Sequence, residues 1–310
     1  MGELLTTSVI IATVASGIRL ATPFLLAALG EVLGQRSGVL NLGVDGVMLL
    51  SAFAAYYTVL NTYNPWLGLL VGIAVGCLLG LFYAFITVTL RAEQGVSGIG
   101  IYLFGLGMSD LLFQTLVGTP LPIDQFDEIA IPFLSELPVV GDMFFDHTPI
   151  VYIAVLLVIA GTILINRTRF GLNVRAVGET PEAADSLGVS VSGVRYKTII
   201  IGNGLAGLAG AALTIELGIF QQNLTNAMGF IAIALVYFGA WRPIGVLIGS
   251  LVFGMVGAIV LQAKTLGLIP RAASDLAAMA PAIITVFALV VVARWFRQPA
   301  ALTKPYVRGE

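Results

Sequence analysis

Apolar stretches long enough to cross a lipid bilayer recur along nearly the whole chain. A helix needs about 20 apolar residues to cross about 30 Å of hydrocarbon. The stretches lie near residues 6–29, 39–60, 66–90, 97–118, 149–166, 197–217, 228–240, 243–262 and 276–295. The sequence therefore predicts an all-α polytopic membrane protein with about nine transmembrane helices, between eight and ten.

Composition leaves little room for another fold class. Of the 310 residues, 58% are hydrophobic and 10% are charged, whereas soluble domains carry about 25% charged residues. We therefore expect one membrane domain over residues 1–310, with short connections and no attached nucleotide-binding domain. The net charge of −2 argues against nucleic-acid binding. The first apolar stretch lacks a basic leader and a cleavage site, so we expect it to be a span.

Charge distribution predicts the orientation in the membrane. The polar segment 119–148 contains acidic residues but no Lys or Arg, so we place it outside as an extracytoplasmic loop. With alternating spans, the N-terminus lies outside and the C-terminus in the cytoplasm. Lys264 and Arg271 then lie outside and Arg19 lies within a span. The remaining basic residues fall on the cytoplasmic side, as the positive-inside rule requires: Arg36, Arg91, Arg167, Arg169, Arg175, Arg195, Lys197, Arg242, Arg294, Arg297, Lys304 and Arg308.

Two apolar stretches resemble each other and suggest internal symmetry. The stretches are NPWLGLLVGIAVGCLLG, from Asn64, and WRPIGVLIGSLVFGMVG, from Trp241, with glycines at matching positions. Because they run in opposite directions in this topology, they predict an inverted repeat, which places a transport pathway near the midplane. The alternative is that glycine-rich helices resemble each other by composition alone.

The most informative polar segment is the predicted cytoplasmic loop 167–197. Thr180 can cap a helix, Pro181 suits the first helical position and Glu182 favours the helix dipole. Gly188 can end the helix. These signals predict a short helix over residues 180–187 on which a partner docks. The alternative is a helix that only packs against lipid headgroups.

This loop resembles the EAA-type coupling loop of ABC import permeases. The resemblance rests on the pattern E-A-A-x-x-x-G at Glu182, Ala183, Ala184 and Gly188. In that family the short helix sits in a groove of the cytoplasmic ATPase and transmits its closure to the membrane helices. The resemblance implies an ATPase-coupling site made of Gly178, Glu179, Thr180, Pro181, Glu182, Ala183, Ala184, Leu187 and Gly188.

A second stretch narrows the resemblance to one group of permeases. Residues 30–53 are similar to the early helix of the branched-chain amino acid, ribose and nucleoside permeases, and are most similar to the nucleoside branch. The stretch FGAWRPIGVLIGSLVFG, from Phe238, is also similar to that group. The motif G-E-x-x-x-x-R-x-G-x-x-N-x-G is carried by Gly30, Glu31, Arg36, Gly38, Asn41 and Gly43.

The resemblance implies an assembly in the inner membrane. The chain would pair with a homologous second permease or a copy of itself. Cytoplasmic ABC ATPases would bind ATP and Mg, and an extracytoplasmic binding protein or lipoprotein would deliver a nucleoside. The chain itself would bind no cofactor and catalyse no reaction. Alternatives are a simple sugar or a branched-chain amino acid as solute, or an ion-driven secondary transporter that uses Asp110 and Glu216.

Polar residues inside predicted spans are candidates for the solute path, because a charge in lipid is costly unless it is paired or hydrated. Asn41 and Asp45 are four residues apart, so on one helix both would face the same cavity. Phe104, Asp110 and Asn203 complete the candidate set. For each, the alternative is a structural role, such as helix packing or a pair between Arg19 and Asp110. We favour the structural role for Arg19 and Glu216.

Aromatic and glycine residues have two competing interpretations. Phe104, Phe113 and Tyr102 could stack on a nucleobase, although aromatic residues facing lipid are common. Two sets of glycines, one beginning at Gly68 and the other at Gly202, predict close helix packing. The set from Gly202 has the spacing of a dinucleotide-binding loop, but it lies within a span, so that interpretation fails. A single histidine, His147, does not predict a metal site. The two glycine sets are Gly68, Gly72, Gly76 and Gly80, and Gly202, Gly204 and Gly207.

Overall fold

The computed structural model describes residues 7–267 except 133, 136 and 138, the single residues 270, 279 and 283, and residues 297–307. Within these residues the chain forms helices and one small antiparallel ribbon. In chain order the elements are α1 (Thr7–Arg36), α2 (Val44–Thr62), α3 (Pro65–Ala84, continued by a π-helical turn Phe85–Thr89), α4 (Gln94–Leu116), β1 (Ile129–Ala130), α5 (Val140–Phe144), β2 (Asp146–His147), α6 (Pro149–Arg167), α7 (Arg169–Glu179), α8 (Pro181–Ser186), α9 (Val191–Leu217), α10 (Met228–Phe238) and α11 (Pro243–Thr265).

Seven of the described helices are long and apolar enough to cross a membrane: α1, α2, α3, α4, α6, α9 and α11. Each coincides with a predicted span. The stretch 228–240, predicted to be short, forms the 11-residue helix α10, and the predicted span 276–295 lies outside the described residues. The helical membrane fold is therefore confirmed. The count of nine stays a prediction.

Helix α9 is the central helix, around which α1, α2 and α3 pack. In its most apolar 18-residue window, 83% of the residues are buried, against 28–67% in the other spans. The predicted glycine face of α3 contacts α9 directly: a Cβ added to Gly72 would collide with Ala211, and one added to Gly76 with the backbone of Asn203 and Gly207. The interpretation of both glycine sets as close helix contacts is confirmed.

Gly76→Ala is expected to destabilise the fold, since the added methyl group has no room between α3 and α9. Overpacking costs about 1–3 kcal/mol, so we expect the thermal midpoint of the purified protein in detergent to fall by several degrees. Gly100→Ala is the matched control, because a Cβ there meets nothing within 4 Å. Equal midpoints for the two variants would contradict the packing described here.

The two ends of the bundle differ in charge. The basic end, defined by Arg36, Arg175, Arg195, Arg242 and Lys304, carries α7, α8 and the segment 297–307. Its parts are joined by hydrogen bonds from Arg36 Nε to the Trp241 carbonyl (3.0 Å) and from Arg195 Nη1 to the Lys304 carbonyl (3.1 Å). The loop end carries the segment 119–148. The basic residues thus gather where the predicted topology places the cytoplasm.

The loop end is held to the spans by side-chain contacts. Arg19 forms a salt bridge to Glu128 at 2.8 Å, and Thr148 donates a hydrogen bond to Glu216. The suggested pair of Arg19 with Asp110 is therefore wrong, because the loop carboxylate of Glu128 reaches Arg19. His147, which belongs to this loop, is fully buried, and burial lowers its pKa.

Candidate coupling and translocation site

The loop at the basic end contains two helices, α7 and α8, where the sequence predicted one. Helix α7 begins after Thr168, whose side chain accepts a hydrogen bond from the Gly171 amide at 3.0 Å. Helix α8 begins at Pro181 and spans Pro181–Ser186. Thr180 is its N-cap residue, as predicted, but makes no side-chain capping hydrogen bond. Gly188 follows it with φ +84°, a conformation that favours glycine.

A small apolar core fixes α8 against the bundle. Ala184 is 3% exposed and belongs to a cluster with Val174, Val177, Val191 and Val194. Because Ala184 faces inward, a large side chain there would disrupt the loop before it met any partner.

Gly178 connects the two helices of this loop to the end of α1. A Cβ at Gly178 would collide with the Arg36 carbonyl, and the Gly178 carbonyl accepts a hydrogen bond from the Ala301 amide at 2.9 Å. The loop is therefore in direct contact with a transmembrane helix and with the segment 297–307. Helix α8 packs on α7, which in turn contacts α1.

The outward face of α8 presents a mixed surface. Glu179, Glu182, Ala183 and Gly188 are exposed, and Leu187 is 86% exposed. Leu187 is the most exposed large hydrophobic side chain among the described residues. Leu187 is the residue of the predicted coupling set best placed to insert into a partner.

The motif in residues 30–43 forms a packed corner between α1 and α2. Gly30 lies against Gly202 of α9, and Gly43 lies against Gly98 of α4. Gly38 has φ +90°, which permits the turn that reverses the chain. The motif positions helices through these contacts.

Asn41 and Asn203 are brought together at this corner. The Asn41 side-chain amide donates to the Asn203 side-chain oxygen at 2.9 Å. The Asn41 oxygen accepts from the Gly43 amide at 2.8 Å, and the Asn203 amide donates to the Ile199 carbonyl at 2.8 Å. Both side chains are buried and engaged with protein groups, so they cross-link the helices.

Asp45 does not share a helix face with Asn41. Helix α2 begins only at Val44, because Asn41 and Gly43 form the preceding turn, so the expected four-residue helical spacing is wrong. The Asp45 carboxylate accepts from the Gly229 amide at 2.8 Å and from the Thr225 hydroxyl at 3.1 Å. It therefore holds the N-terminal end of α10, where a negative charge is favoured.

Phe104 and Asp110 lie on α4, away from this corner. Phe104 is 49% exposed. Asp110 bonds to Gln114 at 3.1 Å through one oxygen, and its other oxygen, which is buried, has no hydrogen-bond partner among the described residues. The five predicted path residues thus fall into three places rather than one cavity.

The three aromatic residues suggested to stack on a base do not converge. Phe113 packs in a cluster with Tyr56 and Phe220, and Tyr102 packs edge-on against Phe230 at 5.2 Å. Phe104 is 49% exposed, whereas Phe113 is buried and Tyr102 is partly buried. In the described part of the chain, no group of three or more His, Cys, Asp or Glu residues is placed to hold a metal ion.

A network that was not predicted from the sequence ties α1 to the turn between α10 and α11. Glu31 accepts from Gln35 at 3.0 Å, and Gln35 accepts from the Trp241 indole at 2.8 Å. Arg36 donates to the Trp241 carbonyl. Trp241 begins the stretch WRPIGVLIGSLVFGMVG, but its partners lie about 205 residues away along the chain. Its one signal was a tryptophan two residues before a proline at the end of an apolar run.

Seven long apolar helices, one of which is the buried central helix α9, define a multi-pass membrane protein, and a structured loop at its basic end supplies a contact surface. Residues 13–293 match the family described as "Branched-chain amino acid transport system / permease component". The chain belongs to this family of ABC transporter permease components. It is therefore a membrane-spanning permease subunit of an ABC importer, not an enzyme.

Three relatives match over most of their length. A candidate glucose ABC transporter permease of Haloferax volcanii is 40% identical over 81% of this chain and 77% of its own. A guanosine ABC transporter permease of Bacillus subtilis is 35% identical over 94% of each chain. A nucleoside ABC transporter permease of Lactococcus lactis is 32% identical over 90% of this chain and 91% of its own.

Each of these organisms also has a second, less similar permease that matches this chain, at 24–28% identity. No solved structure matches the chain significantly.

Proposed function

We propose that this chain forms the translocation path for a nucleoside and is driven by ATPases that dock on α8. A nucleoside as the solute is supported by the match, over 90% or more of the chain, to two relatives named for guanosine or nucleoside. The coupling is supported by the exposed Leu187, which directly follows α8, a helix that packs against α7 and α9. ATP and Mg would be bound by the ATPase partners, and no cofactor by this chain.

A second, homologous permease is the partner that the relatives favour. In three organisms one permease is 32–40% identical to this chain and another is 24–28% identical. This repeated division into a more and a less similar protein supports a heterodimer over a pair of identical chains. A binding protein or lipoprotein would meet the loop end, formed by residues 119–148.

We propose that the exposed face of α4 lines the solute path where it runs between the two permeases. Leu103, Phe104 and Leu111 are exposed there, and Asp110 brings a carboxylate oxygen that lacks a partner in the described chain. An unsatisfied buried acceptor is costly, which supports a role for Asp110 beyond packing within this chain. Asn41, Asp45 and Asn203 would shape the path by positioning helices.

The remaining details of the topology are part of the same proposal. Residues 276–295 would add a ninth span, with the N-terminus outside and the C-terminus in the cytoplasm. Helices α3 and α11 would be the equivalent members of an inverted repeat. In support, both begin with proline at the first helical position, and each packs through glycine on a long helix: α3 on α9, and α11 through Gly254 on α1.

Competition for uptake distinguishes the nucleoside from the sugar. Glucose is the second candidate, because the relative at 40% identity is named for it. In proteoliposomes containing the complete importer, excess unlabelled guanosine is expected to suppress uptake of labelled guanosine, while glucose and leucine at the same excess do not. Uptake of labelled glucose that guanosine leaves unaffected would assign the solute to the sugar instead.

A further inference from the structure

A cavity of about 650 Å³ opens at the basic end, between the last turn of α6, helix α7, the end of α1 and the turn between α10 and α11. Three arginines line it: Arg36, Arg175 and Arg242. It is separate from α8, and neither the coupling surface nor the exposed face of α4 uses it.

The arginines make the cavity strongly positive. Arg36 experiences repulsion from Arg175 and Arg242 and attraction to Glu179, so three guanidinium groups lie near one another at this cavity. Arg36 is anchored through Nε to the Trp241 carbonyl at 3.0 Å, and Arg175 through Nε to the Gly171 carbonyl at 3.4 Å. Guanidinium groups held in this way are suited to bind phosphate oxygens.

The cavity also has an apolar side that runs along a membrane span. Ile244 and Ile248 of α11 line it and are each 54% exposed. They are four residues apart, so they lie on one face of the helix. Asn166, at the end of α6, adds a polar group to the same wall. The arginine side chains therefore lie where the spans end, and an apolar strip leads from them toward the bilayer.

We infer that this cavity binds an anionic phospholipid, with the phosphate headgroup on Arg175 and Arg242 and an acyl chain along Ile244 and Ile248. Basic pockets between helices at a membrane surface suit acidic headgroups. A soluble phosphate would use the arginines but would have no need for the exposed isoleucines. The lipid would brace α6, α7 and the turn between α10 and α11 against each other.

The test is a binding titration of phosphatidylglycerol to the purified, delipidated permease in detergent, followed by native mass spectrometry. Arg175→Gln with Arg242→Gln is expected to weaken binding about 30-fold, given about 1 kcal/mol per basic residue near an acidic headgroup. The matched control is Arg167→Gln with Arg169→Gln. It removes the same charge at the same end of α6, from exposed positions outside the cavity, and is expected to change binding less than threefold.

Three outcomes would overturn the inference. Equal loss in the two double variants would mean general attraction to a basic surface. Equal affinity for phosphatidylcholine would remove the need for an acidic headgroup. Glycerol phosphate competing as well as the intact lipid would indicate a soluble anion site. If the double variant loses its monodisperse state, Ile248→Ser, which leaves every arginine in place, is expected to weaken phosphatidylglycerol binding without affecting glycerol phosphate.

Discussion

Leu187→Arg is expected to abolish ATP-dependent transport while the permease itself stays folded. Leu187 is 86% exposed on its own chain, so the substitution removes no internal packing. In the assembly the same position would lie in a dry groove of the ATPase. An anchor residue of this kind is typically worth 2 kcal/mol or more, and a buried unpaired charge adds to that cost. We expect the affinity for the ATPase to fall by about 100-fold.

The measurement is co-purification of the ATPase with the tagged permease, together with the thermal midpoint of the permease alone. Leu172→Arg is the matched control, because Leu172 is also an exposed leucine of this loop, 58% exposed and on α7. It is expected to retain the ATPase. If Leu187→Arg co-purifies with the ATPase as the unmodified protein does, α8 is not the coupling helix.

Asp45→Ala is expected to lower stability and eliminate transport together. The substitution leaves the Gly229 amide and the Thr225 hydroxyl without their acceptor in a fully buried place. Each buried donor left unsatisfied costs about 1–3 kcal/mol, so we expect the thermal midpoint to fall by roughly 5–15 °C. Helix α10 would lose the group that fixes its N-terminal end.

Asp110→Ala separates this structural role from a role in solute binding. Asp110 is also a carboxylate within a span, but it lies on α4 and bonds only to Gln114 among the described residues. We expect its replacement to raise KM for the solute with little change in the midpoint. An unchanged midpoint for Asp45→Ala, with a raised KM, would instead place Asp45 in the solute path.

Much of the helical framework could be predicted from the sequence because hydrophobic length is a local property. Predicted spans at 149–166 and 243–262 correspond to Pro149–Arg167 and Pro243–Thr265. Helix α7 was not predicted, because its sequence, RFGLNVRAVGE, is too polar for a span and was interpreted as the basic segment that precedes the predicted helix 180–187. Its Val174 and Val177 become buried only against Val191 and Val194, from the next span.

The candidate site was less predictable, because its contacts join residues far apart in the chain. Ala184 resembled an exposed docking residue within E-A-A, yet it is buried. Asp45 bonds to an amide 184 residues away, and no local pattern indicates that pairing. The turn around Asn41, which separates it from Asp45, depends on Gly38 at positive φ.

The most direct test of the central claim is the energy source of nucleoside uptake. The complete importer, with its ATPase, second permease and binding protein, would be placed in proteoliposomes, and labelled guanosine uptake would be measured with and without enclosed ATP. We predict uptake that requires ATP, persists when ion gradients are dissipated and is lost in Leu187→Arg. Uptake that proceeds without ATP and follows an ion gradient would contradict it.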